Sequence, residues 1–111
     1  MIKNLLCLMA FAFCNLVWAQ TEAVHNIPEF TFESGKKLKD MKVGYITHGT
    51  LNANKSNAIL VTHGTSGNRL GYNIYIGPNK AFDTNKYFVI AVDAIGGGNS
   101  SSPLKIGRAH V

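Results

Sequence analysis

Ala58-Ile59-Leu60-Val61-Thr62-His63-Gly64-Thr65-Ser66-Gly67-Asn68 decides how this chain folds. Its first five residues show no polar alternation, which is the pattern of a strand buried on both faces of a parallel sheet. The loop that follows lies at the strand's carboxyl end, where open α/β sheets bind their ligands. Gly64 and Gly67 permit sharp turns that can aim a main-chain N–H outward instead of into a ladder. Such an N–H can hold an oxyanion. From these residues alone, a tight connecting loop without chemistry reads equally well. His63 by itself fits a packing or hydrogen-bonding residue better than a catalyst. Ser66 would need glycine two positions on to complete the G-x-S-x-G elbow of a nucleophile, and Asn68 stands there.

Downstream, Tyr87 to Val92 is a second apolar run without alternation. The residues between the two runs suffice for the crossover that parallel pairing requires, right-handed by default. Pro78 suits a first helical position, so Asn79 to Phe82 is expected to form a helical turn or two, stopped by Asp83-Thr84-Asn85. After the second run comes Asp93-Ala94-Ile95-Gly96-Gly97-Gly98-Asn99-Ser100-Ser101-Ser102-Pro103. It matches neither dinucleotide nor P-loop spacing, and it reads as a flexible surface loop bordering the site. Asp93 fits a turn or capping residue better than an acid catalyst. His25 and His48 lack metal-ligand spacing, and no metal or cofactor is expected.

Upstream, Glu29 to Glu33 alternates, with Phe30 and Phe32 on one side, as a half-buried strand does. Ser34-Gly35 supplies a turn. Leu38 to His48, with Met41, Val43, Tyr45 and Thr47 two apart, should pair back as a hairpin. Asn52 to Asn57 is a polar connection whose side chains can bond their own backbone. The expected class is α/β: an antiparallel hairpin leading into parallel central strands, in an incomplete sheet.

Met1-Ile2-Lys3-Asn4 followed by the apolar run Leu5 to Trp18 is a signal peptide pattern, with cleavage expected after Ala19. Bulky Phe13 before Cys14 disfavours lipid attachment, and both cysteines fall in residues 1–19, which excludes thiol chemistry from the mature chain. At the other end, residues 105–111 back-translate as AAG ATC GGA AGA GCA CAC GTC, a string containing a common sequencing adapter, so this tail is expected to be non-native. The formal net charge of +5 includes Lys3, Lys105 and Arg108; the remaining lysines are scattered among acids, and no nucleic-acid partner is expected.

A set of motifs in order carries a resemblance: Phe32-Glu33-Ser34-Gly35, Gly49-Thr50-Leu51-Asn52, Ser56-Asn57-Ala58, His63-Gly64-Thr65-Ser66-Gly67 and Gly77-Pro78-Asn79-Lys80-Ala81-Phe82-Asp83-Thr84. Together they resemble the opening of homoserine O-acetyltransferases and their α/β-hydrolase relatives. The resemblance implies an N-terminal part of an α/β-hydrolase domain over residues 20–104, with the nucleophilic serine, aspartate and histidine beyond residue 111. It implies that the backbone amide of Thr65 belongs to an oxyanion hole, with His63, Gly64, Ser66 and Gly67 lining the substrate. Residues 1–111 alone are then expected to be inactive.

The acetyltransferases usually carry Gly-Gly-Cys and then a Gly-Thr/Ser-Thr-Gly-Pro stretch where this chain has Gly96-Gly97-Gly98-Asn99-Ser100-Ser101-Ser102-Pro103. That departure and the signal peptide, which would separate the protein from cytosolic acetyl-CoA, favour hydrolysis. The leading expectation is an exported serine hydrolase acting on a small ester or acyl compound through an acyl-enzyme, with no lasting membrane anchor. Acyl transfer to homoserine or a similar alcohol, and a non-catalytic binding protein on the same fold, remain open alternatives.

Overall fold

The computed structural model describes residues 20–102; the expected signal peptide and the tail at 105–111 lie outside them. Six strands follow in order: β1 (Gln20–Thr31), β2 (Lys37–His48), β3 (Ala58–Thr62), β4 (Ile76–Gly77), β5 (Phe82–Asp83) and β6 (Phe88–Val92). Four form a mixed sheet in the order β1-β2-β6-β3. β1 and β2 make the expected antiparallel hairpin, β2 pairs antiparallel with β6, and β6 pairs parallel with β3 from Ala58↔Phe88 to Thr62↔Val92. No helix among the described residues is long and apolar enough to cross a membrane.

The hairpin is longer than its alternating segment. β1 begins at Gln20, and its polar first half is a strand because β2 supplies its partners, from Gln20↔His48 to Ile27↔Met41. Pro28 has no N–H to give to a ladder, and it and Asp40, held at φ 51°, lie between the paired residues on either side. The turn closes with Gly35 N–H donating to Phe32 O and Phe32 N–H to Lys36 O. Phe30 and Phe32 depart from the half-buried expectation: both are exposed, and their rings meet edge to face at 5.1 Å.

The core lies on one face of the sheet. Ile46, Val61, Val89 and Ala91 are buried together, with Ile59 packed against them. The registers explain this grouping, because Ile46 is opposite Ala91, Val61 beside Ala91, and Ile59 beside Val89. On β2 the core-facing parity is therefore that of Gly44 and Ile46, not that of Tyr45 and Thr47. The connection between β3 and β6 covers this face, bringing Ile76 and Phe82 onto it.

That connection is not helical where a helix was expected. Residues 76–77 and 82–83 pair as a two-residue parallel ladder, and a 3₁₀ turn at Asn73–Tyr75 precedes it. Asn79 takes φ 57°, a left-handed conformation that stops a helix from growing after Pro78. Asp83 then fixes the turn through its side chain, accepting the Asn79 and Asn85 amides at 3.1 and 3.0 Å.

The opposite face is uneven: Met41 of β2 is buried there, while β3 lies open among the described residues. Leu60 is 65% exposed, and β3 is an outer strand of the sheet. The expectation that β3 is buried on both faces fails here for that reason: its apolar run fits a double-sided burial that residues 20–102 supply on one side only.

Candidate active site

The carboxyl ends of β3 and β6 point the same way because the two strands are parallel neighbours, so the loops leaving them meet. After β3, Gly67 N–H donates to Gly64 O at 3.0 Å, closing a four-residue turn with Thr65 and Ser66 at its corners. Ser66 at φ 63° gives this turn the type II form. Thr65 is exposed, and its amide has no hydrogen-bond partner among the described residues. An amide at an exposed corner, with no partner among the described residues, has the chemistry to donate to a negatively charged oxygen.

His63 connects the two loops. Its Nε2 accepts the Ala94 N–H at 3.0 Å, so its Nδ1 carries the proton and donates to Gly64 O at 2.7 Å. The ring thereby bridges the two loops, which agrees with its reading as a hydrogen-bonding residue. Gly67 is needed in the same corner: a Cβ there would lie 3.1 Å from both Gly64 O and His63 Cβ. Gly64, Thr65, Ser66 and Gly67 thus form one turn that His63 leads into, with Ser66 exposed to solvent.

The second loop is ordered by a buried carboxylate. Asp93, 2% exposed, accepts the Arg69 N–H at 2.7 Å, Arg69 Nη1 at 2.9 Å and the Asn99 N–H at 2.8 Å. Burial alone would push its pKa up; the Asn99 and Arg69 amides and the Arg69 guanidinium outweigh that and hold it below the ordinary aspartate value. Arg69 also bonds Glu22 of β1, which Asn99 Nδ2 approaches at 3.3 Å.

The serines after Asn99 are buried and turned inward. Ser100 Oγ donates to Asp93 O and accepts the Gly44 N–H, while Ser101 Oγ accepts the Lys42 N–H. Residues 93–102 are therefore a strap tied to β2 at both ends, through Asp93 and through Ser100 and Ser101, while Ala94 to Gly96, Gly98 and Asn99 between them are exposed as expected of a surface loop. The strap lies close enough that a Cβ on Gly44 would stand 2.7 Å from Asn99 Cβ. A Cβ on Gly98, at φ 54°, would stand 2.3 Å from the Asp93 carboxylate.

Asp93 was legible as a turn or capping residue, but its partners Arg69, Asn99 and Glu22 were not. They come from three separated segments and share no spacing pattern. The only local signal was the conjunction of an acid at a strand end with glycines after it.

No family model matches the chain. Among curated proteins it is 44% identical to the homoserine O-acetyltransferase of Leptospira biflexa, an alignment covering 73% of this chain and 25% of that protein. Among solved structures it superimposes on the acetyl esterase MekB with a TM-score of 0.72 at 40% identity, covering 78% of this chain and 26% of that one. An acetylester hydrolase from Corynebacterium glutamicum gives a TM-score of 0.69 at 39% identity, with 75% and 24% covered. The chain thus spans about a quarter of the length of the relatives it matches. With its mixed, incomplete sheet and its strand-end loops, it belongs with the homoserine O-acetyltransferase-like α/β-hydrolases.

Proposed function

We propose that the full-length protein carrying this chain is an exported serine hydrolase that cleaves a small ester or related acyl compound. The observation that carries the reading is the Thr65 amide in the exposed turn after β3, without a hydrogen-bond partner among the described residues. A serine supplied from beyond residue 111 attacks the acyl carbonyl, and its proton passes to a histidine. The carbonyl oxygen becomes an oxyanion, which the Thr65 N–H stabilises. Collapse expels the alcohol with that proton and leaves an acyl-enzyme. Water then releases the acid and regenerates the serine. The likeness to two acetyl esterases supports hydrolysis, and the basic start and apolar run of residues 1–18 support export.

Acyl transfer is the second reading, favoured by the 44% identity to a homoserine O-acetyltransferase. It passes through the same intermediate and differs in the acceptor. Assays of the full-length protein on short-chain acyl esters, and separately on acetyl-CoA with homoserine, test the choice. Ester turnover without an alcohol acceptor is expected; turnover confined to acetyl-CoA with homoserine reverses the assignment. For export, the mature protein is expected to begin at Gln20, and a retained Met1 contradicts it.

A further inference from the structure

Arg69 lies outside the Gly64–Gly67 turn, yet two separate atoms of it hold that turn's exit. Its N–H donates to Asp93 Oδ1 at 2.7 Å and its Nη1 to Asp93 Oδ2 at 2.9 Å. Asp93 is fixed in its turn by the Asn99 N–H and by the Gly98 backbone folded against its carboxylate. On its far side Arg69 reaches Glu22, so one guanidinium ties β1, the turn after β3 and the strap after β6. The side chain is 12% exposed, against 53% for Glu22 and none for Asp93. A planar fork that spans two carboxylates is a task lysine's point charge does not reproduce.

Asn68 alone separates this anchor from the turn-closing Gly67, and the Ala94 N–H to His63 bond fixes the turn's entry from the same strap. The turn holding Thr65 is thus fastened at both ends to one loop.

We infer that Arg69 and Asp93 form a positioning pair that sets where the Thr65 amide stands relative to the reacting carbonyl. The pair touches neither substrate nor nucleophile and acts through the turn. This rests on the oxyanion reading given above. A displacement of about 1 Å at a catalytic group can cost roughly a hundredfold in rate, so loosening this anchor is expected to lower kcat with little change in KM.

The test is a double-mutant cycle in the full-length protein, with Thr65→Pro as the second site. Proline suits the first corner of a type II turn while removing the N–H. Arg69→Gln is expected to lower kcat for a short-chain acyl ester by roughly 10- to 100-fold in the wild-type background and to have little further effect alongside Thr65→Pro. An equal loss in both backgrounds, or a lowered melting temperature with kcat unchanged, overturns the proposal. Where Arg69→Gln does not fold, Arg69→Lys keeps the charge without the fork and serves the same comparison. Amide hydrogen exchange supplies a readout independent of turnover. In the Arg69 variant the Gly67 and Ala94 amides are expected to exchange faster while those of Val89 and Ala91 are unchanged; unaltered Gly67 exchange also overturns the pair's role. Should Thr65→Pro alone leave kcat intact, the oxyanion reading falls and the pair's catalytic purpose with it, while the exchange data still decide whether the anchor exists.

Discussion

Asp93 keeps its charge in a place that water barely reaches, and the cost of that burial is offset by donors from Arg69 and Asn99. Its folded-state pKa lies below its unfolded value, so its contribution to stability is fully present above the unfolded value and is lost as pH falls through the folded one. The melting temperature is therefore expected to hold on the neutral side of the ordinary aspartate range and to decline in acid below it. Asp93→Asn should lower the neutral-pH melting temperature and flatten that acid decline, which a melting series across pH checks. Gly98→Ala meets the same carboxylate sterically and also forces alanine to φ 54°, so denaturant titration is expected to show a loss of about 1–3 kcal/mol. Residue types announced part of this: an acid at a strand end and glycines after it mark a turn. Which donors satisfy the acid depends on contacts between distant segments, and no periodicity encodes those.

Among the elements, β3 and β6 were legible because five consecutive mostly apolar residues without alternation have few other uses. The hairpin was legible from its turn and the spacing in β2, but the first half of β1 was not, since a polar outer strand has no hydrophobic face to display. The segment after Pro78 misled because its propensities allow a helix, while Asn79 and the Asp83 side chain commit it to a turn. Burial separates the parities on β2 in a way that can be measured. Ile46 is 1% exposed in the core cluster, so Ile46→Ala is expected to destabilise by about 2–5 kcal/mol in an equilibrium unfolding experiment. A loss comparable to that of a surface substitution would place the core on the other face.

At the level of the whole molecule, one side of the sheet is covered by the β3–β6 connection and the other shows Leu60 on β3, an outer strand whose second edge has no partner among the described residues. An apolar outer strand with free backbone groups is a template for pairing with another chain. The 111-residue chain produced alone is therefore expected to self-associate, and Leu60→Lys to increase its monomeric fraction in light scattering. A chain that is monomeric at all concentrations without that substitution would show the open face to be harmless. The same layout accounts for the candidate site: parallel neighbours bring their carboxyl-end loops together, and Asp93, Arg69 and His63 join those loops beside the exposed Thr65.

The most direct test is a crystal structure of the full-length protein covalently inhibited by an alkylphosphonate, whose tetrahedral oxygen stands in for the oxyanion. The Thr65 backbone nitrogen is expected about 2.7–3.1 Å from that oxygen. A phosphonyl oxygen held by other donors, with the Thr65 amide facing solvent, would contradict it.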